Sequence, residues 1–486
     1  MAPHNLPRDV FDIEDALVTD ANPALDDYSL DYERCARLHN YLVAYGWMVR
    51  HEWKRPDLDE LANRPHRFCQ EFEAIRDRLH PSLNFFLELI YEPTQAVFYW
   101  VENLAMQLFD EYILELYDEN GLEDMERFVV IYGTVAELGS HCVGVIYDQE
   151  LHRAAFPPTL ENFDSVFPME EHWEMWWPLE TILTHWIQLI RMGKVIAHGD
   201  ENQTPEKVRL SRSQIGPWSW HSYCPEQVNG TVAAIDRYTA AIEARMPRGS
   251  LLRLSRDAPL FTNADLDTAY IPNECFIRSV LTRTMTPRFN SIAPGLAVPH
   301  DTAAFIDRQK FTTIPRDNIG GEKIPPVLIF LHTDNSQAVT FNEEIRWLFL
   351  PFTRSEEIPF DNQDLIPAGL YSESVCRDEY DQEEGGFRLL LPGGLQSTHR
   401  DEEGARTSDG RLLTSGSFTV LFQHGIHHPF GGERRSQRLG RLINRWTELV
   451  ESGVWRVGAD GVDESIEKFQ DADRGSWKDY WIEPSW

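Results

Sequence analysis

Three groups of side chains in this 486-residue chain have types and spacings that can do chemistry. The first is acidic. In FDEYILELYDEN, Asp110, Glu111 and Glu115 lie close together, and Glu111 and Glu115 are four apart on one face of a helical pattern. Carboxylates grouped in this way can hold Mg²⁺, bind a guanidinium, or shift one another's pKa for acid–base work. A solvated stripe on an amphipathic helix has the same spacing. The strongly apolar residues around the cluster keep the chemical reading open.

The second group is basic. Arg434, Arg435, Arg438, Arg441 and Arg445 sit in GGERRSQRLGRLINRW after a Gly-Gly pair. Positions 434, 438, 441 and 445 share a helix face, with Leu439, Leu442 and Trp446 as the side expected to be buried. Such a row can grip phosphates, and the Gly431-Gly432 turn offers backbone N–H groups to an anion at a helix start. Arginines paired with surplus surface carboxylates would read the same way.

The third group is imidazole. His424, His427 and His428 follow a strand-like run, but no acidic or cysteine ligand stands at zinc spacing. His332-Thr333-Asp334 has the HxD pattern of iron-dependent oxygenases, and the long helical first half fits that fold poorly. His399, Arg400, Asp401, Glu402 and Glu403 form a polar loop after the FRLLL run. There is no GxSxG, GxGxxG, Walker A or HExxH sequence, which argues against simple hydrolase, dinucleotide, P-loop and zincin chemistry.

These groups need elements to position them. Residues 29–53, 66–91, 94–117, 126–151 and 178–195 carry helix formers with 3.6-residue periodicity, Pro81 breaking the second, so 1–200 reads as a helical region. Trp173, Trp176, Trp177 and Trp186 cluster around the start of the last of these helices, which implies a large core or a ligand wall. The charged stretch 198–207 reads as a linker. From 215 to 486 the pattern is mixed α+β: helices over 226–246 and 433–450, and strands over 327–332, 338–341, 345–352, 387–391 and 417–423. The whole is therefore expected to be α+β, a largely helical N-terminal half followed by a mixed C-terminal half.

Composition sets limits. The hydrophobic content of 42% is ample for packed cores. The longest apolar run, AVFYWV at 96–101, is far too short for a bilayer, and the first 30 residues show no signal peptide. The six cysteines lie far apart without a CxxC pair, which points to reduced thiols and a cytoplasmic location. A net charge of −33 opposes indiscriminate binding to phosphate backbones, so any nucleic-acid contact needs a local basic patch.

Several blocks resemble a set of filamentous-fungal proteins close to the arginine-containing cyclodipeptide synthases. They are EMWWPLETILTHWIQLIRMGKV, GPWSWHSY, FIRSVLTRTMTPRFNSIAPGL, FRLLLPGGLQSTHRDEEGARTSDG and RWTELVESGVWRVGADGV, spanning most of 170–465. The resemblance implies an aminoacyltransferase of secondary metabolism that condenses arginine, from arginyl-tRNA, with a second aminoacyl group into a diketopiperazine. Its partners would be charged tRNAs, with no cofactor, no membrane and no obligate protein partner. A tRNA ester already carries the activation energy, which suits the missing Walker loop. The DDxxE motif associated with that family has no intact copy here: Asp26-Asp27 lacks the glutamate, 463–467 is DExxE, and Asp110-Glu111 has its glutamate one place late. On this reading Asp110, Glu111 and Glu115 are the catalytic candidates, and the five arginines hold tRNA. Two alternatives come from other classes. One is a non-catalytic scaffold with a Trp-rich helical surface, the other a terpene-cyclase-like enzyme using the three carboxylates to bind Mg²⁺–diphosphate.

Overall fold

The computed structural model describes residues 9–51, 61, 73–93, 96–104, 108–109, 126–135, 143–157, 173–199, 214–255, 257–314, 322–334, 338–349, 352, 363–393, 395, 404–413, 419–425, 428–432 and 436–486. The chain forms two compact units. The first comprises Met1–His221, Ile426–Arg434 and Pro484–Trp486, and the second Ser222–Gly425 and Arg435–Glu483. The class is α+β.

In the first unit, helix α1 (Tyr32–Arg50) starts where the Asp31 carboxylate accepts from the Arg34 N–H. Helix α2 (Pro81–Leu89) begins on Pro81, whose missing N–H costs nothing there, so the expected break is a start. Helix α3 (Leu179–Arg191) follows Pro178 and buries Leu179, Ile182, Leu183, Trp186 and Ile190. Trp186 stacks on Phe98 at 5.2 Å and donates its indole N–H to the Phe430 carbonyl. Trp176 is buried too, while Trp177 is half-buried and Trp173 exposed, so the tryptophan cluster runs from core to surface.

In two expected helices the described residues include strands instead. Strand β1 (Val101–Leu104) falls in 94–117, and β2 (Phe128–Thr134) and β3 (Gly144–Asp148) fall in 126–151; with β4 (Arg153–Ala155) they make an antiparallel sheet in the order β1-β2-β3-β4. FVVIYGT and GVIYD are β-branched and aromatic, and near-complete burial removes the alternation that marks a half-exposed strand. Gly144 has φ +130, and a Cβ there would lie 1.8 Å from the Tyr132 carbonyl oxygen.

A second small sheet has β7 (Trp218–Trp220) between β5 (Val195–Ala197) and β6 (Gln214–Ile215). Its register sets Val195 opposite Trp220, Ile196 opposite Ser219 and Ala197 opposite Trp218. By strand alternation Trp218 and Trp220 face one side, with Ser219 on the other. Trp218 packs on Phe98 and Tyr45, and Trp220 on Trp100 and Tyr99.

The second unit contains α4 (Pro225–Arg245), α5 (Asn263–Thr268), α6 (Phe276–Leu281), α7 (Thr302–Asp307), α8 (Glu343–Leu348) and α9 (Leu439–Glu451). Its main sheet runs Phe387–Leu390, Gly369–Ser372, Leu328–His332, Leu296–Ala297, Ser291–Ala293, Gly461–Val462 and Val457–Gly458 in spatial order. The apolar stripe of α9 (Leu442, Ile443, Trp446, Leu449 and Val450) packs along α4, with Trp446 5.9 Å from Tyr238. Of the run at 345–352, expected as a strand, residues 345–348 lie in α8, because Asn342 caps a helix by accepting from the Ile345 N–H. Residues 419–423 are not strand. No helix among the described residues is long and apolar enough to cross a membrane.

Candidate functional site

The expected arginine helix exists, but it starts later than its charges. Helix α9 begins at Leu439 with Arg438 as N-cap, so Gly431 and Gly432, at φ +99 and +96, do not open it. Gln437 and Ser436 before it are buried: the Gln437 N–H donates to the Gln423 side chain, and Leu439 N–H to the Gly385 carbonyl. This pairing pulls the chain into extended form just where the spacing suggested another helical turn. Arg434 and Arg435 lie outside the described residues. Arg438 occupies the cap and pairs with Gly386, and Arg441 and Arg445 alone project from the helix proper.

Those two arginines line a groove of about 530 Å³ together with Asn444, Glu448 and, from the opposite wall, Trp477, Lys478, Trp481, Ile482 and Glu483. The wall is a 3-10 turn (Trp477–Tyr480) and the chain beyond it. Arg445 holds it through Nε to the Asp479 carbonyl at 3.0 Å and through a second nitrogen to the Lys478 carbonyl at 2.5 Å, and it also pairs with Glu448. Arg441 donates to the Glu483 carbonyl at 2.7 Å. Burial lowers the Arg441 pKa, partly opposed by Glu483 and Glu448. Trp477 and Trp481 meet edge to face at 6.3 Å; Trp481 N–H donates to the Thr407 carbonyl. The Arg406 guanidinium lies 5.2 Å from the Trp477 ring centre and the Lys478 ammonium 5.6 Å. Arg441, Arg445 and Lys478 line the groove with two indoles and with Glu448 and Glu483, and the cations and rings together suit a ligand that is both anionic and ring-bearing.

The other expected groups fare differently. Asp110, Glu111 and Glu115 lie outside the described residues, as do His427 and the loop from His399 to Glu403. His424 and His428 are buried. His332 turns its Nδ1 to the backbone of Asp334, at 2.9 Å from the carbonyl and 3.0 Å from the N–H. Among the described residues no three His, Cys, Asp or Glu side chains group as a metal site. In the DExxE stretch Glu464 pairs with Arg456, and the Ser465 hydroxyl holds the Glu467 carboxyl below its usual range. Cys35, Cys224 and Cys275 are buried free thiols and Cys376 is half-buried. Burial pushes Cys275 up to about 12, which makes it unreactive.

The sequence reading missed a polar cluster on the small sheet of the first unit. Ser219 Oγ lies 2.5 Å from His198 Nε2. Burial lowers the His198 pKa. Lys194 is fully buried, its ammonium 4.8 Å from the Trp220 ring centre. The His221 N–H donates to the Lys194 carbonyl, continuing the β5–β7 ladder. Loss of water, then the Lys194 ammonium and His198, lower the His221 pKa. The available signal was the WSWH run, where tryptophan alternates with polar residues at the strand period.

No protein-family model, curated protein or solved structure matches this chain.

Proposed function

We propose that the chain is a tRNA-dependent cyclodipeptide synthase, working in the cytoplasm, that joins arginine from arginyl-tRNA to a second aminoacyl group and closes a diketopiperazine. The observation that carries this reading is the groove beside α9, where Arg441, Arg445 and Lys478 share one surface with Trp477 and Trp481. The single-stranded acceptor end of a tRNA offers phosphates to cations and base faces to indoles, and stacking contributes about 1–3 kcal/mol per base. The local field decides such contacts, so the net charge of −33 does not forbid them. Both amide bonds form by attack of an amine on an ester that tRNA has already activated, so the reaction needs no nucleotide hydrolysis. The resemblance of the blocks in 170–465 to the fungal synthases supplies the identity of the amino acid.

Expression in a bacterial host, followed by mass spectrometry of the medium, tests the proposal. The expected result is a cyclic dipeptide containing arginine that is absent from the empty-vector control. Soluble protein that yields no such product in arginine-fed cultures, and retains no tRNA on purification, overturns it.

A further inference from the structure

We propose that His80 and His152 form a proton-operated latch: with both rings neutral it fastens the start of α2 to the β3–β4 turn, and proton uptake frees that start while His152 turns to the Asp27 carboxylate.

The turn is built to hold its side chains still. Asp148 closes it, one carboxylate oxygen accepting from the Glu150 and Leu151 N–H groups and the other from Arg127. Two buried side chains, Gln149 and His152, reach from this turn to the chain just before α2. Gln149 accepts from the His80 N–H at 2.6 Å and donates to the Arg78 and Glu126 carbonyls. The His152 ring meets the His80 ring edge to face, with centroids 4.6 Å apart. Burial keeps the Tyr147 phenol protonated, so its hydroxyl donates to His152 Nδ1 at 2.7 Å. His152 stands at φ +50, a left-handed conformation that costs a non-glycine residue energy and persists because these contacts hold it.

His80 works on the other side of the joint. It is the N-cap of α2, and its Nδ1 accepts from the Ser82 N–H at 3.3 Å. A ring can accept there only while Nδ1 carries no proton. A proton on that atom removes the cap and sets a positive charge at the end of the helix dipole that disfavours it. One charge on each ring would also push the two rings apart.

The groups around His152 decide where its charged form goes. They are His80 before α2, Tyr147, Asp148 and Arg153 from the hairpin, and Asp27 from the N-terminal segment. Burial, then His80, lowers the His152 pKa; Arg153 adds to this, while Asp148 and Asp27 oppose it. Asp148 is already committed to Arg127 and to its own turn. Arg153 holds Asp26 at 3.0 Å and lies 5.4 Å from the Tyr28 ring centre, which keeps Asp27 beside the hairpin. Asp27 is exposed and accepts from the Ser29 hydroxyl, so its carboxylate is free to take a charged imidazole. The stability that the neutral His152 supplies is full above pH 6.5 and is lost as pH falls through its lowered value.

Hydrogen-exchange mass spectrometry of the full chain tests the latch, stepped from about pH 7.5 to about pH 5 and corrected for intrinsic exchange. His80 holds the Ser82 amide through its ring and the Leu83 and Asn84 amides through its carbonyl. These three should lose protection about tenfold per pH unit below the midpoint, and up to about a hundredfold as both rings charge. His80→Asn combined with His152→Asn keeps a capping side chain and a residue that tolerates the left-handed turn. That double variant should hold the same amides at one level of protection throughout. Asp27→Asn, at an exposed position, covers the case in which the double variant fails to fold. It should move the midpoint down, because the carboxylate that favours the charged ring is gone. Unchanged wild-type protection over this range, a loss that persists in the double variant, or a midpoint that Asp27→Asn leaves in place each overturns the latch.

Discussion

The Ser219 sheet and the α9 groove solve opposite problems. In the sheet the aromatic rings do the holding: Trp218 and Trp220 pack on one face, and Ser219 and His198 pair with each other on the opposite one. In the groove, the polar groups do the holding. Arg445 gives its guanidinium to the Asp479 and Lys478 carbonyls and to Glu448, and Arg441 gives one nitrogen to Glu483. Rigidity supplied by packing leaves functional groups free, whereas rigidity supplied by charged hydrogen bonds commits them. A row of arginines in a sequence therefore overstates the positive charge available to a ligand.

The largest expected effect probes the packed side of this contrast. Trp186→Ala removes a fully buried ring and leaves the Phe430 carbonyl without its donor, so the midpoint of chemical denaturation should show a loss of about 3–5 kcal/mol. A loss under about 1 kcal/mol would mean that packing does not hold the first unit. On the charged side, Arg445→Ala should destabilise the second unit by about 1–3 kcal/mol, because charge-assisted bonds to two carbonyls go at once. An unchanged midpoint would return Arg445 to the pool of free cations. Trp477→Ala should weaken tRNA binding about 5- to 150-fold with little change in unfolding, as measured by filter binding beside thermal melts.

Two smaller effects sharpen the comparison. Lys478, exposed and, among the described residues, engaged through its carbonyl and its contact with Trp477, is the place to test charge alone. Lys478→Glu should lower the salt slope of tRNA binding by about one while stability moves by about 0–1 kcal/mol. The second effect is on pH dependence. Burial raises the Glu180 pKa above its ordinary value, with backbone hydrogen bonds and Arg34 opposing. The folded state thus holds this proton more tightly than the unfolded state does, and the associated stability is full below pH 4.5 and lost as pH rises through the folded value. His198 behaves the other way: its stability is full above pH 6.5 and is lost as pH falls through its lowered value. Glu180→Gln should flatten the stability profile just above pH 4.5 and leave the histidine limb alone.

The sequence made some of this legible. Helices α1, α3 and α4 declared themselves by period, and the Val327–His332 run by its β-branched and aromatic residues flanked by Pro325 and Pro326. The pattern failed where burial or capping overrode it. Strands β2 and β3 are buried nearly throughout, so no alternation distinguished them from a buried helix, and Gly133 and Gly144 were the better evidence. At 345–352 a single capping residue, Asn342, decided for helix over strand. Of the expected site, Arg441 and Arg445 share a surface as their spacing required, yet their partners at 477–483 are more than thirty residues away in the chain and no local pattern announces them. For Ser219 and His198 the WSWH run was the local signal, and it could not show the pairing, because the β5–β7 register alone brings the two together.

The Arg445 bonds to the Lys478 and Asp479 carbonyls have a dynamic consequence. Tyr480 packs against Phe469 and Phe422 beneath the same turn, so residues 477–480 are fastened at both its helix-facing and its core-facing sides. Amide protons in that turn should then exchange with solvent together with those of α9, as one opening unit, and not as a fraying end. Cutting the arginine bond would uncouple the two, turning the groove's far wall into the part of the second unit that opens first.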